Sequence, residues 1–224
     1  MNKMIFKDRV EAGQLLAGEL KRYRDREDVI VLGLPRGGVP VAYEVARQLH
    51  APLDVIVVRK LGAPGYEELA MGAIASGGIR VMNDSVVRAL GVSRDAIEET
   101  AARQLKELHR REQAYRGHEG TPEIEDKTVI LVDDGIATGS TIRAAVEALR
   151  QQAPRQIIIA VPTASSDARA MLEPMVDDFI ALIVPEEFRA VGQWYEDFDQ
   201  TTDAEVTQLL AKAAAAAPAQ PHGS

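Results

Sequence analysis

Short apolar runs alternate with longer stretches of helical periodicity along most of this chain. Val29-Ile30-Val31-Leu32-Gly33-Leu34, Leu53-Asp54-Val55-Ile56-Val57-Val58, Thr128 to Val132, Gln156 to Val161 and Asp178 to Val184 have the length and β-branched content of buried strands. A helical pattern covers Val39 to His50, a second helix runs to about Gln152, a short one lies near Ala168, and a C-terminal one starts at Asp203. Ser93 caps a long helix in which Ile97, Ala101, Leu105 and Leu108 share one stripe, while Glu99 with Arg103 and Glu107 with Arg111 are spaced as exposed ion pairs. Ala73 to Ser76, Gly77-Gly78 and Ile79 to Met82 predict a hairpin. Strands alternating with helices predict an α/β fold: a parallel, doubly wound sheet with helices on both faces. In such sheets ligands collect at the carboxyl ends of the strands.

Three strand-ending loops carry candidate chemistry. The run Thr128 to Val132 empties into Asp133-Asp134-Gly135-Ile136-Ala137-Thr138-Gly139-Ser140-Thr141, two carboxylates followed by a small-residue, hydroxyl-rich turn. Glycines allow the tight turn, the hydroxyls donate, and the next helix aims unpaired N–H groups at an anion. The acidic pair repels phosphate but suits hydroxyls or a metal ion, so pair plus cradle describe a ligand with both a sugar diol and a phosphate. An ordinary strand-turn-helix with a solvated acidic start is the bland alternative. After the first strand, Arg36-Gly37-Gly38 offers a guanidinium beside open main chain, although a plain βα turn reads the same way. Arg59-Lys60 lies at the end of the run from Leu53, before the glycine- and proline-bearing segment 61–72, which reads as a lid; the two cations suit a polyanionic leaving group or merely keep a strand end soluble.

The segment from Thr128 to Thr141 resembles the phosphoribosyl-pyrophosphate (PRPP) motif of type I phosphoribosyltransferases along its whole length. That resemblance implies the family's fold and a glycosyltransferase activity, in which PRPP and Mg²⁺ serve to transfer 5-phosphoribosyl to a nitrogen nucleophile, a nucleobase or related amine, with release of pyrophosphate. It implies ribose and Mg²⁺ contacts for Asp133 and Asp134, and 5′-phosphate contacts for Ala137, Thr138, Gly139, Ser140 and Thr141. It further implies pyrophosphate contacts for Arg36, Gly37, Gly38, Arg59 and Lys60, and a homodimer. The family's hood over the base falls at Phe188 to Phe198, where Trp194 could stack on a base or simply pack a small lobe. Two departures stand out. The spacing from Gly192 to Asp197 is one residue longer than in hypoxanthine-guanine members, and Ala137 replaces the aspartate that accepts the proton in those enzymes. Either another group takes that role, with Glu67 and Glu68 of the lid as candidates, or the nucleophile is not a 6-oxopurine. A PRPP-binding regulator without turnover, and an unrelated sugar-phosphate or nucleotide binder, are the competing readings.

Composition narrows the field. The 224 residues suit one domain over 1–217, with a hood over 185–217 and a flexible tail at 218–224. Net charge of −8 argues against a nucleic-acid surface. Cysteine is absent, no apolar run is long enough to span a membrane, and Met1 to Asp8 lacks the apolar stretch of a signal peptide, so a cytoplasmic protein is expected. Scattered histidines, no Gly-x-Ser-x-Gly and no Gly-Lys-Ser/Thr leave hydrolase and ATPase chemistry unsupported.

Overall fold

Each apolar run finds a place in a sheet, and each amphipathic run covers one. The computed structural model describes residues 5–117 and 122–216; the tail expected at 218–224 lies outside them. In chain order the first elements are α1 (Arg9–Glu19), β1 (Val29–Gly33), α2 (Gly38–Leu49), β2 (Leu53–Val55), β3 (Val58–Ala63), β4 (Tyr66–Ala75), β5 (Ile79–Met82), α3 (Asp84–Leu90) and α4 (Arg94–Arg116). Then follow β6 (Thr128–Val132), α5 (Ser140–Arg150), β7 (Gln156–Thr163), α6 (Ser166–Leu172), β8 (Asp178–Ile183) and α7 (Asp203–Ala216).

The main sheet is five-stranded and parallel, in the order β2-β1-β6-β7-β8. Both faces are covered, which is why β1 and β6 are buried at every residue. On one face Leu16, Leu20, Val41 and Val45 from α1 and α2 pack over Val29, Val31 and Ile130; on the other, Ile142, Val146 and Leu149 from α5 cover Ile30, Leu131 and Ile159. The chain leaves β1 toward β2 on one side and returns as β6 on the other. This reversal opens a crevice at the carboxyl ends of β1 and β6.

Beside the main sheet stands a three-stranded antiparallel sheet, β3-β4-β5. The run Leu53 to Val58, expected as one strand, is divided between the two sheets. Val57 turns away from β2 because its N–H donates to Ser76 Oγ at 3.0 Å and its carbonyl accepts from Ser76 N at 2.9 Å. Segment 61–72, expected as a lid loop, is instead the outer part of the β3-β4 hairpin, with its turn at Pro64-Gly65. Leu61, Met71 and Ile74 from this hairpin pack with Ala101 and Leu108 of α4 and Val206 of α7. Within the segment expected as a hood, α7 therefore joins this side core, and the part facing the crevice is residues 188–199. There Phe6 pairs with Tyr195 as an isolated parallel bridge, and Trp194 is buried with Phe6, Ala12 and Tyr195. Among the described residues no helix is long and apolar enough to cross a membrane.

Candidate functional site

The acidic pair sits where the crevice opens, directly after β6. Asp133 Oδ1 accepts a hydrogen bond from the Asp134 N–H at 2.9 Å, and Asp134 Oδ2 accepts from Arg9 Nε at 2.9 Å. That leaves Asp133 Oδ2 and Asp134 Oδ1 without a hydrogen-bond partner among the described residues, and neither is shut away from solvent. Two adjacent carboxylates each present one open acceptor, the arrangement that two vicinal hydroxyls would satisfy. Burial pushes the Asp133 carboxyl well above the usual carboxylate range, and the charge of Asp134 adds to the effect. Asp134 is raised as well, chiefly by burial, while Arg9 pulls it back.

The loop after β1 closes against this pair. A β-carbon on Gly37 would fall on Asp134 Oδ2, and one on Gly38 would stand 2.8 Å from the Val132 carbonyl oxygen and 2.9 Å from Asp133 Cα. The two glycines are thus required by the close approach of the acidic pair, where the sequence led to the expectation of main chain open to an anion. The Pro35-Arg36 peptide bond is cis. Arg36 is partly exposed, with Nη1 4.0 Å from Asp203 Oδ1 at the start of α7, and Tyr115 donates to the same Asp203 oxygen at 2.8 Å.

The hydroxyl-rich turn is pinned from one side only. Ile136 N–H donates to the Thr163 carbonyl at 2.9 Å, and Ser165 Oγ donates to the Ala137 carbonyl at 2.7 Å, while Ala137, Thr138, Ser140 and Thr141 are exposed. Gly139 adopts φ +76° as the residue that starts α5, and no side chain caps that helix. Elsewhere Asp8, Asn83, Ser93 and Ser165 cap α1, α3, α4 and α6 with a side-chain oxygen. The two helices that begin at the crevice, α2 and α5, begin on Gly37 and Gly139 and have no such cap. At α5 the first N–H groups consequently face no capping side chain, an arrangement that can receive an anion.

Arg59, Lys60 and Trp194 have other neighbours. Arg59 Nε donates to Gln104 Oε1 on α4 at 3.0 Å, and burial together with the nearby Arg111 lowers its pKa. Lys60 Nζ lies 3.4 Å from Glu68 Oε2 across the hairpin. Trp194 is 4% exposed and stacks on Phe188 with ring centroids 6.3 Å apart. It also borders a cavity of about 420 Å³ lined by Pro185, Glu187, Arg189 and Gln193. The structure therefore brings together the acidic pair, the turn 135–141 and the loop 36–38, and it turns Arg59 and Lys60 toward α4 and the hairpin. Sequence reasoning missed Arg9, which lies 125 residues before Asp134 and carries no motif or periodic signal.

A family model described as phosphoribosyl transferase domain matches residues 7–192. The chain belongs to that family. A relative is the Mycobacterium tuberculosis protein named "Putative phosphoribosyl transferase Rv0571c", 44% identical over 209 residues. The match takes in 93% of this chain and 47% of the relative, so the chain spans about half the length of the curated relatives it matches. The crystal structure of TT1426 from Thermus thermophilus is 43% identical, covers 93% of this chain and 99% of that one, and superposes with a TM-score of 0.83. At 14% identity and a TM-score of 0.51, a Neisseria gonorrhoeae protein crystallised with ppGpp shares the fold. The phosphoribosyltransferase family is one of glycosyltransferases, and its fold is the parallel α/β arrangement described above.

Proposed function

We propose that the crevice binds PRPP and that the protein transfers its 5-phosphoribosyl group to a nitrogen nucleophile, a nucleobase or related amine, releasing pyrophosphate. The observation that carries this reading is the pair of open oxygens, Asp133 Oδ2 and Asp134 Oδ1, beside the uncapped start of α5. Carboxylates match the ribose hydroxyls, and the N–H groups and hydroxyls of 137–141 match the 5′-phosphate. Arg36, partly exposed at the loop after β1, is the cation proposed to meet the pyrophosphate. In the reaction the bond from the anomeric carbon to the pyrophosphate oxygen breaks, the new carbon–nitrogen bond forms, and the nitrogen gives up its proton.

Mg²⁺ fits this site as a companion of the substrate. Among the described residues no group of three or more acidic or histidine side chains forms a cage. Mg²⁺ characteristically binds through one or two carboxylates plus substrate phosphates, and the open oxygens of Asp133 and Asp134 supply that share. The ion would neutralise charge developing on the leaving pyrophosphate. The chain's own residues orient the sugar and hold its phosphate.

One observation favours a second reading, a PRPP-binding regulator without turnover: Arg59 and Lys60 engage Gln104 and Glu68. Incubation with PRPP, Mg²⁺ and a panel of bases separates the two. Pyrophosphate release with any base establishes the transferase, calorimetric PRPP binding with silence across the panel establishes the regulator, and no binding refutes both.

A further inference from the structure

The strongest unassigned feature lies behind the acidic pair. Arg9, in the first turn of α1, has a side chain only 12% exposed. Nε donates to Asp134 Oδ2 at 2.9 Å, Nη1 donates to the Asp199 carbonyl at 2.7 Å, and the guanidinium carbon rests 4.0 Å from the centre of the Phe198 ring. One side chain thus joins the acidic pair to the segment that follows the last core strand. Asp134 meets a second contact from that segment, since Tyr195 donates to its carbonyl at 2.6 Å.

We infer that Arg9 is a positioning residue for sugar recognition: it fixes the orientation of the Asp134 carboxylate, so that the oxygen it does not hold faces the ligand's hydroxyls. This inference rests on the PRPP-site reading above and adds to it a residue from outside the motif. An unrestrained aspartate would sample several rotamers and lose that freedom on every binding event. Arg9 holds one oxygen in a planar, charge-assisted hydrogen bond, and Gly37 closes the space on the same side. The remaining oxygen is the one without a partner. Nε is committed to Asp134, and through that bond Arg9 acts on the carboxylate that meets the sugar.

A comparison of two sugar phosphates tests this. Ribose 5-phosphate offers both hydroxyls to the acidic pair, 2-deoxyribose 5-phosphate lacks one, and the 5′-phosphate cradle treats them alike. By calorimetry the wild-type protein is expected to prefer ribose 5-phosphate by about tenfold, the worth of one hydrogen bond to a charged group. Arg9→Ala should reduce that preference to less than about threefold while changing affinity for the deoxy sugar little. Arg9→Met, which keeps an apolar stem but offers no donor, carries the same expectation and serves if the alanine variant does not fold. A folded variant that keeps the full preference overturns the inference, as does one that loses both ligands equally, which would make Arg9 a general prop. If the wild type shows no preference at all, the assignment of the acidic pair to a diol fails, and the inference fails with it.

Discussion

The Tyr195 hydroxyl donates a 2.6 Å hydrogen bond to the main-chain carbonyl of Asp134, tying residues 188–199 to the end of β6. Burial raises the Tyr195 pKa far above its usual value, so the hydroxyl stays protonated and remains a donor. Tyr195→Phe should lower stability by about 1 kcal/mol, since it leaves a partly buried carbonyl without its donor. Urea unfolding measures this. An unchanged midpoint would show that water takes over the bond.

Gly37 has ordinary helical dihedrals, φ −62° and ψ −30°, so alanine meets no backbone penalty there. Its β-carbon would nonetheless land on Asp134 Oδ2. Gly37→Ala is expected to remain folded, to lose about 1–3 kcal/mol of stability from overpacking and to bind ribose 5-phosphate weakly because Asp134 is displaced. Calorimetry and a melting curve check both parts, and wild-type affinity would detach Gly37 from the site.

Asp134→Asn removes the charge that Arg9 faces. If Asp134 positions the ribose, the variant should lose roughly 2–4 kcal/mol of transition-state stabilisation. The structure adds a stability cost, because both partners of the ion pair are largely buried, with 12% and 14% side-chain exposure. Melting and single-turnover rates, measured on the same preparation, should both fall. An unaffected rate would remove Asp134 from the chemistry.

Gly139 has φ +76°, a conformation that valine strongly resists. In Gly139→Val the added β-carbon meets Met171 Cε at 2.8 Å and Leu172 Cδ1 at 3.1 Å. The variant should therefore lose stability by about 1–3 kcal/mol even without ligand. A melting temperature equal to wild type in ligand-free buffer would contradict this.

Acid stability depends on carboxylates far from the crevice. Asp28 is held down to about 2 from a usual 3.8, first by its hydrogen bond to Arg26, and Glu107 to about 2 from 4.5, first by Arg110 and then by Arg111. Both have folded-state pKa values below their unfolded ones, so their contributions are present above about pH 4.5 and are lost as the pH falls toward about 2. Asp28→Asn should be less stable than wild type at pH 6, and the gap should close by about pH 2. A gap independent of pH would assign the effect to packing.

Much of the fold is legible in the sequence because its strands are buried on both faces and therefore read as unbroken apolar runs. The same property hides the break at Ile56, since an apolar run does not announce that its hydrogen-bond partner changes from β1 to Ser76. Segment 61–72 reads as a loop because Gly62, Pro64 and Gly65 obscure strand alternation, although Gly62 sits at an irregular pairing step and Gly65 at the turn. The acidic pair and its cradle are legible because their chemistry is contiguous in sequence. Helix α1 is not: its buried face is Ala12, Gly13, Leu16 and Ala17, small residues that suit close packing on α2 but make a weak apolar stripe. Arg9 is a lone cation until the fold carries it to Asp134.

The bridge between Phe6 and Tyr195 places the completion of the crevice late in biosynthesis. A nascent chain that has emerged only as far as α6 possesses the whole acidic motif and its cradle, yet lacks Tyr195, Phe198 and the Asp199 carbonyl that settle α1 against it. Under the proposed function, the motif that carries the chemistry ends at Thr141, whereas the contacts that settle α1 beside it are complete only once residue 199 has been synthesised.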